Sequence, residues 1–159
     1  MMALHRHYVA TGYVYDRNTD AFLLIFHRKL GKWLAPGGHL HEGEEPHVGV
    51  QRELLEETGL EGRIIDLLVV PDVHSATAAQ LPNPFCILSE TIPARAEEEA
   101  EHIHIDFIYV IEINASATLK LCVEEIALAS WIPAGNIDNI ETFENVKQVC
   151  RAISACQKT

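Results

Sequence analysis

Residues 38–60 read GHLHEGEEPHVGVQRELLEETGL, and the last part, RELLEETGL (52–60), brings together Glu53, Glu56 and Glu57. On a helix these three stand at i, i+3 and i+4 and share one flank. Like charges so placed repel by roughly a few tenths of a kcal/mol per pair, and only Arg52 stands beside them. A solvated acidic face is the plain reading of three such glutamates taken alone. The other reading is a divalent cation, since Mg²⁺ or Mn²⁺ takes hard oxygen ligands, often carboxylates, waters and phosphates. Glu53 and Glu57 lie about one turn apart, ~6 Å along a helix axis, so their side chains can converge on one ion or on neighbouring ions. Glu56 is then a further ligand or a base for water. Arg52 can pair with a loop carboxylate and hold helix and loop in register.

Outward from this stretch, Gly31, Pro36, Gly37, Gly38, Gly43 and Pro46 mark a structured loop. Pro46 suits a first helical position, and Glu44 and Glu45 suit the positive end of the helix. With Gly59 as its stop, the helix is predicted over 46–58, and Val48, Leu55 and, more obliquely, Leu54 supply its apolar side. Strands are expected at 6–16 and 21–28, around the turn RNTD, and at 62–70, 85–92 and 102–113. Shorter ones are expected near TLKLCV (118–123) and ALASWIP (127–133). Residues 71–84 read as a loop, and 95–101 as an acidic connection or short helix. From Ile140, the spacing of Phe143, Val146, Cys150 and Ile153 predicts a C-terminal helix. This mixture implies an α/β fold with helices packed on a mixed sheet, in a single domain over 1–159.

The formal net charge of −11 opposes binding to a nucleic-acid polymer, although a small phosphorylated substrate is compatible with it if a metal ion screens the charge. No apolar run approaches the ~20 residues of a membrane span, and the first residues lack the layout of a secretory signal. A cytoplasmic protein is therefore expected, one that does not engage membranes. Cys86, Cys122, Cys150 and Cys156 are scattered without a C-x-x-C pair, which predicts reduced, mostly buried thiols.

The stretch at 38–60 resembles the Nudix box, G-x5-E-x7-R-E-U-x-E-E-x-G-U with U aliphatic. Gly38, Glu44, Arg52, Glu53, Leu54, Glu56, Glu57, Gly59 and Leu60 meet every fixed position, and the preceding WLAPGG, with Trp33, Pro36 and Gly37, resembles the usual approach to it. The resemblance to this family of hydrolases, MutT-like enzymes among them, implies an α/β/α sandwich. It also implies hydrolysis of the diphosphate link in a nucleoside triphosphate or other nucleoside diphosphate derivative. The implied cofactor is Mg²⁺ or Mn²⁺, with Glu53 and Glu57 as ligands, Glu56 as ligand or base, and the Gly38 carbonyl as a further ligand. Glu44 and Arg52 would organise loop and helix, and Gly59 would end the helix. In such a reaction, ions bridge the diphosphate oxygens and lower the pKa of an attacking water. The helix offers no nucleophile of its own, so direct attack by water fits better than a covalent intermediate. A non-catalytic module of the same fold, binding nucleotide or a partner, is the other reading, and a homodimer is left open.

Outside the box, many family members carry a further acid six residues before a tryptophan, and Glu125 stands six before Trp131. Glu124 and the Glu97–Glu101 cluster are its rivals. His102, His104 and Asp106 alternate along a strand and share a face, which makes a 2-His-1-carboxylate iron-type site conceivable. A polar face toward solvent or substrate is the simpler reading. His39, His41 and His47 lie in or next to the box loop and Arg28 ends a strand, so His39 and Arg28 are candidate phosphate contacts. Trp33, Phe107 and Tyr109 are candidates for stacking on a base.

Overall fold

The structure is a computed structural model that describes residues 4–69, 71–95, 99–113 and 118–156. Its strands are β1 (Arg6–Asp16), β2 (Ala21–His27), β3 (Lys32–Leu34), β4 (Gly37–His39), β5 (Gly62–Ile64), β6 (His74–Ser75), β7 (Ala78–Ala79), β8 (Cys86–Ile92), β9 (His102–Ile113) and β10 (Ile126–Pro133). Its helices are α1 (Pro46–Thr58) and α2 (Glu144–Cys156), and a 3-10 turn over Ala134–Asn139 precedes α2. The main sheet runs β10-β2-β1-β9-β5, while β3 pairs with β2, β4 with β1 and β8 with β9. The pair β1 and β9 is parallel and its neighbours are antiparallel, so the sheet is mixed.

Side chains alternate across this sheet and feed two cores. On one face, Val50 and Leu54 of α1 pack with Ala10, Val14, Leu23, Tyr109 and Ile111. On the other, Val146, Val149, Cys150 and Ile153 of α2 pack with Tyr13, Phe22, Leu24, Ile108 and Val110. The result is the α/β/α sandwich. The first five residues of β2, AFLLI, are all apolar because they are covered on both faces, with Phe22 and Leu24 turned to α2 and Leu23 to α1. The buried residues of α2 recur at i, i+3, i+4 and i+7, an amphipathic period.

Several expectations are corrected. Val48 and Leu55 both lie 47% exposed, and the buried row of α1 is Gly49, Val50, Leu54, Glu57 and Thr58. TLKLCV forms no strand, because the N–H groups of Lys120 and Cys122 donate to the carbonyls of Thr58 and Glu57 at the end of α1. Those carbonyls have no partner within the helix. Of the strand expected at 62–70, only Gly62–Ile64 pairs, with β9, and Val70 lies outside the described residues. The loop at 71–84 contains the small hairpin β6–β7, and the loop expected over 31–46 contains β3 and β4. Phe143 precedes α2 and is exposed. Cys86, Cys122 and Cys150 are free thiols, but only Cys150 is buried, and Cys156 is exposed. No helix among the described residues is long and apolar enough to cross a membrane.

Candidate active site

The box folds as strand β4, a loop and helix α1, and the sequence sets each boundary. Pro46 occupies the first turn, where its missing N–H is not needed. Gly59 ends the helix at φ 70°, a left-handed conformation that suits glycine, and its N–H donates to the Leu55 carbonyl. Strand β4 lies against β1, with Gly38 opposite Ala10. A side chain at Gly38 would come within 2.6 Å of the Glu53 carboxylate, so the glycine lets that carboxylate rest against the backbone.

Arg52 ties the loop to the helix. Its Nε and one terminal nitrogen donate to the two oxygens of Glu44, at 2.8 and 2.9 Å, and that nitrogen also reaches the His39 carbonyl at 3.0 Å. The other terminal nitrogen donates to Glu53 at 2.8 Å and Glu56 at 3.1 Å. Glu44 also accepts the His41 N–H, at 2.9 Å. Arg52, foremost, holds the Glu44 carboxyl down to about 2, and the same bonds raise the guanidinium above its ordinary value. The two-pronged, charge-assisted pair fixes geometry as well as charge.

Glu57 occupies a different environment. It turns into the protein, is 5% exposed, and accepts the Gly37 N–H at 3.0 Å. Burial pushes its carboxyl up to about 8, and Glu53, Glu125 and Glu56 push the same way against the Gly37 bond. Burial and neighbouring carboxylates both favour the protonated form of such a carboxyl. The donors gathered here are hard oxygens, and they fit Mg²⁺ or Mn²⁺.

Glu125 is exposed, in the turn before β10, and close enough to Glu57 to act on its charge. Arg28 is tied to that turn: its Nε donates to the Val123 carbonyl at 2.8 Å and its N–H to the Glu125 carbonyl at 2.9 Å. Glu124 is exposed, and Glu97 and Glu98 lie outside the described residues. Trp33 packs edge-on against Phe26 and borders the core on the α2 side, while Tyr109 is buried in the core on the α1 side. Phe107, partly buried against that same core, lines an open groove of about 770 Å³. His7, Tyr8, His39, His41 and Glu44 share that groove, which reaches the box along its loop. The carboxylates of Glu53 and Glu57 lie outside its lining.

His102, His104 and Asp106 do not form a triad. The two histidines gather with His7 and His39, whereas Asp106 accepts the Thr11 hydroxyl at 2.8 Å. Burial raises the Asp106 carboxyl to about 7. His7 and Tyr8 were missed in the sequence. The signal for His7 was the alternation of His5, just before β1, and His7 within it, which matches the spacing of His102 and His104 on its parallel neighbour.

Compared with known proteins, residues 5–149 match the NUDIX domain. The chain is 28% identical over 159 residues to Nudix hydrolase 7 of Arabidopsis thaliana, covering 86% of this chain and 56% of that protein. The chain thus spans about half the length of the curated relative it matches. A hydrolase of the NUDIX family from Clostridium perfringens superposes with a TM-score of 0.70 at 20% identity, over 98% of each chain. The E. coli dihydroneopterin triphosphate pyrophosphohydrolase superposes with a TM-score of 0.67 at 13% identity, over 97% of this chain and 99% of that one. At such identities the likeness to the two structures is one of fold.

Proposed function

The chain belongs to the NUDIX family, and from that premise we propose that it is a divalent-metal-dependent pyrophosphohydrolase. The substrate is a nucleoside triphosphate or another nucleoside diphosphate derivative, and residues 1–159 act as one domain. The observation that carries this reading is Glu57, a carboxylate buried against the Gly37 backbone and crowded by Glu53, Glu56 and Glu125. A side chain that serves only to stabilise the fold would be apolar at such a position. Glu53, Glu56, Glu57 and the Gly38 carbonyl are the groups that would hold Mg²⁺ or Mn²⁺. The bound cation supplies charge neutralisation for the diphosphate and a lower pKa for the attacking water.

The remaining work falls to the chain. Arg52 bonds to Glu53 and Glu56 and, through Glu44, fixes the loop that follows Gly38. Glu56, 56% exposed at its side chain, and Glu125, whose charge reaches Glu57, are the carboxylates that would accept a proton from water. The groove beside the box is the proposed seat of the nucleoside, with Phe107 and Tyr8 available to stack on a base and His39 near the phosphates. Arg28 reaches the Glu125 turn and would steady it from behind, with phosphate contact as its second role.

A panel of nucleoside triphosphates, nucleotide sugars and dinucleotides tests this reading, with products resolved by chromatography. Cleavage of at least one compound is expected with Mg²⁺ or Mn²⁺, and its loss is expected when a chelator is added. Tight nucleotide binding without cleavage of any compound would instead identify a binding module. Cleavage unaffected by the chelator would overturn the metal dependence.

A further inference from the structure

The group formed by His7, His39, His102 and His104 lies outside the acidic site. One ring nitrogen from each lies within 4.8 Å of the other three. His39 Nε2 and His7 Nδ1 are 3.3 Å apart, and His102 Nε2 and His104 Nε2 are 3.0 Å apart. A tetrahedral ion at ~2.0–2.1 Å from each nitrogen needs them ~3.4 Å apart. The two closest pairs, at 3.3 and 3.0 Å, fall at or below that spacing, and the other pairs, none beyond 4.8 Å, would close on it by side-chain rotation.

The backbone brings these rings together from three strands. His7 stands beside His104 in the parallel register of β1 and β9. His39 belongs to β4, which pairs with β1 on its other side and sets His39 opposite Val9. Strands hold ligands more firmly than loops do. The His102 Nδ1 lies 2.9 Å from the Ala100 carbonyl, which can only accept. That nitrogen therefore carries the proton, and the Nε2 lone pair points at the group. Such a bond from the outer nitrogen to a carbonyl is the usual support of a metal-bound histidine. Glu99 places a carboxylate oxygen 3.5 Å from the same Nε2, adding negative charge beside the rings.

We propose that His7, His39, His102 and His104 form a second metal site, distinct from the acidic one, that takes a first-row transition dication, with Zn²⁺ as its resident. Four imidazoles suit Zn²⁺ and its neighbours and disfavour Mg²⁺, which prefers oxygen. The ion would cross-link β4, β1 and β9. It would also anchor His39, two residues beyond the Gly37 N–H that holds Glu57. Its role is structural support for the box loop, and it does not depend on the reading of the acidic site.

Cobalt titration of the tag-free chain, stripped with chelator, tests this directly. One Co²⁺ per chain should bind with the intense visible bands of tetrahedral coordination, and Zn²⁺ should displace it. His7→Gln and His104→Gln should each weaken Co²⁺ affinity by ~10-fold or more, the scale seen when a metal site loses supporting groups. Glu57→Gln should leave the bands intact. Weak octahedral bands alone, intense bands that survive in both histidine variants, or intense bands lost in Glu57→Gln would overturn the proposal. His7 is only partly buried, so its variant gives a readable result even if His104→Gln folds poorly.

Discussion

Glu57→Gln is expected to lower kcat/KM by ~10²–10³-fold on whichever diphosphate compound is cleaved, the scale of losing one preorganised charge-stabilising group. Glutamine has nearly the same volume, and its amide oxygen can still accept the Gly37 N–H, so the packing of α1 is retained. What disappears is the negative charge that Glu57 would carry once a cation has displaced its proton, in a position shielded from water, where charge acts most strongly on a cation. Circular dichroism should show an unchanged fold and steady-state kinetics the deficit. A variant with activity close to that of the parent chain would remove Glu57 from the cation site.

The largest effect on stability is expected from Leu54→Ala. Leu54 is fully buried between α1 and the sheet, among Val14, Leu23, Val50, Tyr109 and Ile111. Truncation removes its apolar burial and leaves a cavity between two rigid layers, which costs about 2–5 kcal/mol. Leu55→Ala, one residue along and 47% exposed, should change stability by less than ~0.5 kcal/mol. Urea midpoints at constant m-value measure both. Equal losses in the two variants would mean that α1 packs through a different face.

That contrast also shows where the sequence was hard to read. The buried row of α1 contains a glycine, a glutamate and a threonine, and Glu57 takes a position that an apolar residue would ordinarily fill. Apolar periodicity therefore pointed to Val48 and Leu55, which face outward. The ends of the helix were legible because Pro46 and Gly59 act through backbone chemistry, independent of which face is buried. TLKLCV alternates like a strand, but its N–H groups are used to cap the carbonyl end of α1, a long-range demand that spacing does not reveal. The acidic site was legible as a motif because its residues fall within one loop and one helix. The histidine group was not, since it depends on the parallel register that puts His7 beside His104.

The acidic site makes sense as one completed by a cation. With its carboxyl pushed up to about 8 from an ordinary 4.5, Glu57 is mostly protonated at pH 7. Between those values unfolding releases that proton, so without a cation Glu57 contributes less stability as pH rises through the window. A cation that ligates Glu57 must expel the proton. Calorimetric titration of Mg²⁺ at pH 7, in two buffers of different ionisation enthalpy, counts the protons released. The parent chain should release a proton as Mg²⁺ binds, and Glu57→Gln should release little or none. Heats that do not depend on the buffer in the parent chain, or equal release from both proteins, would contradict a cation site built on Glu57.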